Sequence, residues 1–152
     1  MTSNKEDSSA TVRVSHRFSA SPERVFNAWL DPATASRWLF ATPSGLNVRA
    51  EIDARVGGRF TIVDRREGED IEHTGEYLEI DRPRRLVFSF AVPKYSQQFT
   101  RVCIDIVPVD GGGCELTLTH EGVLQDYLAR TRDGWQTMLQ GLDAILRGAR
   151  PG

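Results

Sequence analysis

Pro22-Glu23-Arg24-Val25-Phe26-Asn27-Ala28-Trp29-Leu30-Asp31-Pro32-Ala33-Thr34-Ala35-Ser36-Arg37-Trp38-Leu39 is the stretch whose reading decides the fold. Ser21 ahead of it offers a hydroxyl to cap a helix, and Pro22 fills the first turn, where its missing N–H costs nothing. That helix is expected to run to about Leu30. Asp31-Pro32 repeats the start signal, so a second short helix carries Ala35, Trp38 and Leu39 until Pro43 and Gly45 end it. Just before the stretch, Val12, Val14, His16 and Phe18 alternate with Thr11, Arg13, Ser15 and Arg17, the two-residue period of a strand with one buried face.

After the stretch the pattern is strand upon strand. Apolar residues fall on alternate positions in Leu46, Val48, Ala50 and Ile52; Phe60 and Ile62; Leu78 and Ile80; Leu86, Phe88, Phe90 and Val92; Val102, Ile104 and Ile106; Leu116 and Leu118. Turn chemistry at Gly57-Gly58, Arg66-Glu67-Gly68-Glu69-Asp70, Asp81-Arg82-Pro83, Pro93-Lys94 and Asp110-Gly111-Gly112-Gly113 separates them, so a meander of six antiparallel strands is expected, seven with the first. Beyond Gly122 the period turns helical. Leu124, Leu128, Trp135, Met138, Leu139, Leu142, Ile145 and Leu146 share one face of a long C-terminal helix, whose well-formed part is expected to begin near Arg132 because Gly134 weakens the start. The fold class is therefore α+β, a helix-grip arrangement: a seven-stranded curved antiparallel sheet around a long C-terminal helix, with two short helices between the first two strands. One helix cannot fill the concavity of such a sheet, and the remainder is expected to be a pocket between them.

The chain has 152 residues, enough for one core that buries roughly two-thirds of the unfolded surface, and it divides into a flexible tail at 1–10 and a single domain at 11–148. With 19 Lys+Arg against 21 Asp+Glu the net charge is −2, and no basic run interleaves with aromatics, which argues against a nucleic-acid partner. No apolar stretch suits a secretion signal or a bilayer span, so a cytoplasmic protein without membrane insertion is expected. Cys103 and Cys114 flank a hairpin turn and pair across from about residues 119 and 108, which sets them about 17 Å apart and leaves both as free thiols. No CxxC or HExxH spacing occurs, and no metal or other cofactor is expected.

Several segments, in order, carry a resemblance: Val25-Phe26-Asn27-Ala28-Trp29-Leu30-Asp31-Pro32 followed by Arg37-Trp38; Gly57-Gly58-Arg59-Phe60; Gly75-Glu76-Tyr77-Leu78-Glu79-Ile80-Asp81-Arg82-Pro83-Arg84-Arg85-Leu86-Val87-Phe88; Leu116-Thr117-Leu118-Thr119-His120-Glu121-Gly122; and Gly134-Trp135. Across Val12 to about Leu146 the sequence resembles the activator-of-heat-shock-protein-90-ATPase-like branch of the START/Bet v-type superfamily. The resemblance implies a cavity for a hydrophobic small molecule or lipid. The same superfamily holds polyketide cyclases and stress-related proteins, so a cyclase- or hydrolase-like enzyme and a chaperone ATPase-activating cofactor stand as alternatives, the latter with a chaperone as partner. Fold alone does not choose among them, nor between monomer and homodimer.

Strand parity places His16, Asp64, Glu76 and His120 inward among apolar neighbours, where a polar group is costly unless paired. Glu76 and His120 facing one pocket would orient a ligand or act as acid and base; the plainer reading pairs each with a structural partner. A one-residue bulge would instead turn Tyr77 and His73 inward. Trp29 reads as core, and Trp38 is expected at the pocket mouth. Phe60, Phe88, Phe90, Trp135 and Met138 read first as packing and second as ligand contacts. The expected ligand-binding set is thus Trp38, Phe60, Glu76, Tyr77, Phe88, Phe90, His120, Trp135 and Met138, with no catalytic residue assigned.

Overall fold

The computed structural model describes residues 9–40, 46–94 and 98–148. Strand β1 (Ser9–Phe18) leads into helices α1 (Pro22–Leu30) and α2 (Pro32–Trp38). Then come β2 (Leu46–Ile52), β3 (Arg59–Arg66), β4 (Glu69–Asp81), β5 (Arg85–Phe90), β6 (Thr100–Pro108) and β7 (Cys114–Leu124), and finally helix α3 (Leu128–Leu146) after a single 3-10 turn. The strands form one antiparallel sheet in the order β1-β7-β6-β5-β4-β3-β2, so β2 to β7 are a meander closed by β1 alongside β7. This is the α+β helix-grip architecture expected from the sequence. The stop signals Pro43 and Gly45 lie outside the described residues.

Local chemistry explains the two short helices. The Ser21 hydroxyl accepts the N–H of Arg24 at 3.3 Å. Asp31 both ends α1, donating its backbone N–H to the Asn27 carbonyl at 3.0 Å, and starts α2, its carboxylate accepting the N–H of Thr34 at 3.1 Å. Each helix has a proline in its first turn. The chain therefore folds back over one end of the sheet with one first-turn N–H of each helix capped by a side chain.

The core lies between the inner face of the sheet and α3. Val12, Val14 and Phe18 of β1, Val102, Ile104 and Ile106 of β6, and Leu116 and Leu118 of β7 meet Trp135, Leu139 and Leu142, while Val25, Phe26, Trp29 and Trp38 of α1 and α2 fill the end. His16 of β1 joins Asp143 of α3 at 2.9 Å and ties the helix to the edge of the sheet. Cys103 pairs with Thr119 and Cys114 with Pro108, and both thiols are buried and free.

Two expectations need correction. The helix α3 begins at Leu128 rather than near Arg132, with Gly134 inside it, and Leu124 ends β7 as an exposed residue instead of sharing the helical face. In β4 the register shifts between Tyr77 and Glu79. Before this bulge the inward residues are Ile71, His73, Gly75 and Tyr77, and after it Ile80 packs on the core. Leu78 is 44% exposed and Tyr77 only 3%. Counting parity back from Ile80 through the bulge inverts every position before it.

Candidate functional site

The inner face between β4, β5, β7 and α3 is walled by aromatic rings. Phe60, on β3, lies over Gly75, where a Cβ would run into the Ser89 carbonyl and sit 2.7 Å from Phe60 Cε2. Glycine at this position lets β5 and the Phe60 ring approach the backbone of β4. Phe88 meets Phe60 edge-on at 5.3 Å, and Tyr77 is tilted against Phe60 at 5.6 Å. Burial, with the charge of Asp53 adding to it, pushes the Tyr77 hydroxyl above its ordinary pKa, so it stays protonated at neutral pH.

Of the polar residues expected inward, His120, Asp64 and His16 are placed there and Glu76 is not. His120 sits in register between Val12 of β1 and Val102 of β6 and is 4% exposed. Its Nδ1 accepts the Trp135 indole N–H at 3.1 Å, which leaves Nε2 as the protonated nitrogen, 2.7 Å from Thr100 Oγ1. The Thr100 hydroxyl passes its own proton to the Phe90 carbonyl at 3.1 Å. Every donor in the series Trp135–His120–Thr100 has an acceptor, and burial lowers the imidazole pKa to about 4. A neutral His120 is thus a structural joint between β6, β7 and α3. It has no nitrogen left to take a proton from a substrate.

Glu76, expected inward with Leu78 and Ile80, lies on the face opposite Gly75 and Tyr77 because of the bulge. The acid–base pair of Glu76 and His120 is therefore not assembled. Asp64 is fully buried at the inward position after Ile62. His16 is half-buried beside Asp143, whose carboxyl resists the upward push of burial: hydrogen bonds from His16 and Arg147 hold it below its ordinary value.

Trp38 is not at a pocket mouth. It is 2% exposed, donates its indole N–H to the Ala28 carbonyl at 3.1 Å and meets Trp29 edge-on at 4.7 Å, so it locks α2 onto α1. Trp29, Leu39, Phe60, Tyr77, Leu86 and Phe88 enclose a void of about 10 Å³. That is room for one water at most. The indole N–H of Trp29, one of these lining residues, is buried without a hydrogen-bond partner among the described residues. Among the described residues this void leaves no room for a ligand unless a side chain moves.

One buried ring in this cluster is one the sequence did not single out. Phe40, just after α2, has φ 59, in the left-handed region that a bulky side chain avoids. His73 and Phe90 lie in nearly parallel planes, 6.0 Å between centroids, and Phe40 stacks on both, at 4.7 and 4.8 Å with interplanar angles of 3° and 10°. The backbone N–H of Phe40 points to Met138 Sδ at 3.1 Å, and its ring meets Trp135 edge-on at 5.8 Å. His73 keeps its place through Nδ1, 3.2 Å from the Ile62 carbonyl. Phe60, Phe88, Phe90 and Trp135 thus form one aromatic box around Phe40, with Met138 beside its backbone. No local pattern marks Phe40, since its conformation is imposed by tertiary stacking against the preference of the residue.

The chain shares this fold with solved structures. Protein CV1439 from Chromobacterium violaceum is 28% identical over 89% of this chain and 95% of its own, with a TM-score of 0.82. PFC0360w from Plasmodium falciparum, described as an HSP90 activator, is 26% identical over 90% of this chain and 95% of its own, TM-score 0.70. An AHSA1-like protein from Aeromonas hydrophila, 21% identical over 94% and 97%, has the same fold with a TM-score of 0.78. Among curated proteins none matches significantly. The model of the activator of Hsp90 ATPase homolog 1-like family matches residues 19–147, from the turn before α1 to the end of α3, and the chain belongs to that family.

Proposed function

We propose that the chain binds a small, flat, uncharged apolar molecule between the sheet and α3, in the place now held by the Phe40 ring. The observation that carries the reading is Phe40 itself: a phenylalanine held in the left-handed region, stacked with both His73 and Phe90. Exposing a phenylalanine side chain costs about 1.5–3 kcal/mol. Leaving a strained backbone conformation recovers about 1–3 kcal/mol. The two nearly cancel, so Phe40 is the wall that yields at least cost, while Phe60 and Phe88 are anchored in regular strands. A ligand ring taking its place regains the stacking, and an acceptor atom on that ligand would satisfy the Trp29 indole N–H.

The role is binding without catalysis, because His120 is consumed by Trp135 and Thr100 and Glu76 faces away. Titration with the neutral fluorophore N-phenyl-1-naphthylamine tests it. Wild-type protein should enhance the dye's emission, and Phe40→Ala, which empties the box, should bind it more tightly. Absence of binding by both proteins would refute the proposal.

A second reading, a chaperone cofactor acting through its surface, is favoured by the family and by the activator from Plasmodium falciparum. It requires the ATPase rate of purified Hsp90 to rise when this chain is added. An unchanged rate at saturating chain dismisses it.

A further inference from the structure

A cavity of a different kind lies not between sheet and helix but on the outer side of the short helices. It is an open cleft of about 660 Å³, within the size range of small-molecule sites. Arg24, Asn27, Ala28 and Asp31 line it from one face of α1, spaced at i, i+3, i+4 and i+7, and Arg37, Arg82, Ile145 and Leu146 complete it. Two of the arginines are held in place. Arg24 Nη2 donates to the Leu146 carbonyl at 3.0 Å, at the C-terminal end of α3. Arg82 Nη1 donates to Asn27 Oδ1 at 2.6 Å, one turn along α1 from Arg24, with its guanidinium 5.3 Å above the Phe26 ring. Each guanidinium carries five N–H donors, and one such bond leaves most of them available. The Arg37 side chain makes no hydrogen bond or ion pair among the described residues.

Asp31 is the one carboxylate in the lining, and it is engaged: its Oδ2 accepts both the N–H of Thr34 at 3.1 Å and the Thr34 hydroxyl at 2.7 Å. Three guanidinium charges less one carboxylate leave an excess of two positive charges in the cleft, on a chain whose net charge is −2. Beside the charges lie Ala28, Leu30, Ile145 and Leu146, an apolar surface next to the donors. We infer that this cleft is a binding site for an organic dianion, a phosphate monoester carried on a short apolar body. Such a phosphate bears nearly two negative charges at neutral pH and presents oxygens that match the arginine fork. The apolar body rests on the end of α3 and adds affinity through burial. This site is separate from the aromatic box and does not depend on it.

The test is a titration of the full chain with phenyl phosphate at low ionic strength, followed by calorimetry and by the side-chain Nε–H resonances of the arginines. Inorganic phosphate and phenol serve as comparisons. Phenyl phosphate is expected to shift the resonances of Arg24, Arg37 and Arg82 and to bind more tightly than either comparison. Affinity should fall roughly tenfold in Arg37→Gln and in Arg82→Gln, and should weaken with added salt. The Arg37 side chain makes no hydrogen bond or ion pair among the described residues, so Arg37→Gln remains informative even if Arg82→Gln disturbs the fold. Unchanged affinity in Arg37→Gln, phenol binding as tightly as phenyl phosphate, or no binding at millimolar ligand overturns the assignment. Inorganic phosphate binding as tightly as phenyl phosphate removes the apolar body from it.

Discussion

The His120 joint makes the stability of this protein depend on pH in a definite direction. Its Nδ1 accepts from Trp135 and its Nε2 donates to Thr100, so a second proton would set two N–H groups against each other at Nδ1. Burial alone lowers the folded pKa to about 4 from 6.5. Between those values the unfolded chain takes up a proton that the folded chain refuses. Stability from this group is therefore intact above pH 6.5, falls as pH drops through the window, and stops falling below about pH 4. A shift from 6.5 to 4 at about 1.36 kcal/mol per unit amounts to about 3 kcal/mol in all, of which about 2.5 kcal/mol is lost by pH 4.5.

His120→Gln isolates the effect. The amide oxygen can accept from Trp135 and the amide nitrogen can donate to Thr100, while the titration disappears. Urea unfolding followed by tryptophan fluorescence, at several values between pH 7.5 and 4.5, gives both stability curves. The carboxylates titrate alike in both proteins and cancel in the difference. Wild-type protein should lose about 2.5 kcal/mol more than the variant across that range. Parallel curves would refute the neutral, doubly bonded imidazole, and with it the argument that His120 is unavailable for catalysis.

At Phe40 a glycine is expected to be less harmful than an alanine. Both substitutions remove the ring, but glycine accepts the left-handed backbone, so Phe40→Gly should exceed Phe40→Ala in stability by about 1 kcal/mol in urea unfolding. Gly75→Ala should destabilise by about 3 kcal/mol by the same assay, because its Cβ collides with the Ser89 carbonyl and the Phe60 ring and forces β4 from β5. Gly141→Ala should do the opposite: the site is an exposed position inside α3 where a Cβ meets nothing within 4 Å, and helix propensity predicts a gain of about 0.8 kcal/mol.

What the sequence made legible follows from the range of the physics involved. The starts of α1 and α2 are set by Ser21, Asp31 and two prolines within a few residues of where they act, and the hairpin that separates Cys103 from Cys114 is set by the glycines between its strands. The inward parity of His120 was equally local, because β7 runs without a shift from Cys114 to His120. Parity failed at Glu76 because one bulged residue in β4 reverses the count, and the alternation of Leu78 and Ile80 conceals the bulge, since Leu78 is apolar yet exposed. The partners that decide His120's role, Thr100 and Trp135, lie on other elements, and residue type gave no means of telling a base from a joint. Phe40 is the harder case: its backbone opposes its own preference, so only the rings of β4, β5 and α3 acting together can hold it. The arginine cleft draws on α1, α2, the β4–β5 turn and the end of α3, and no window of sequence contains it. The residues best explained by local chemistry are thus those that build the scaffold, while Phe40 and Arg37, which local chemistry leaves unexplained, are the residues on which the two proposed sites rest.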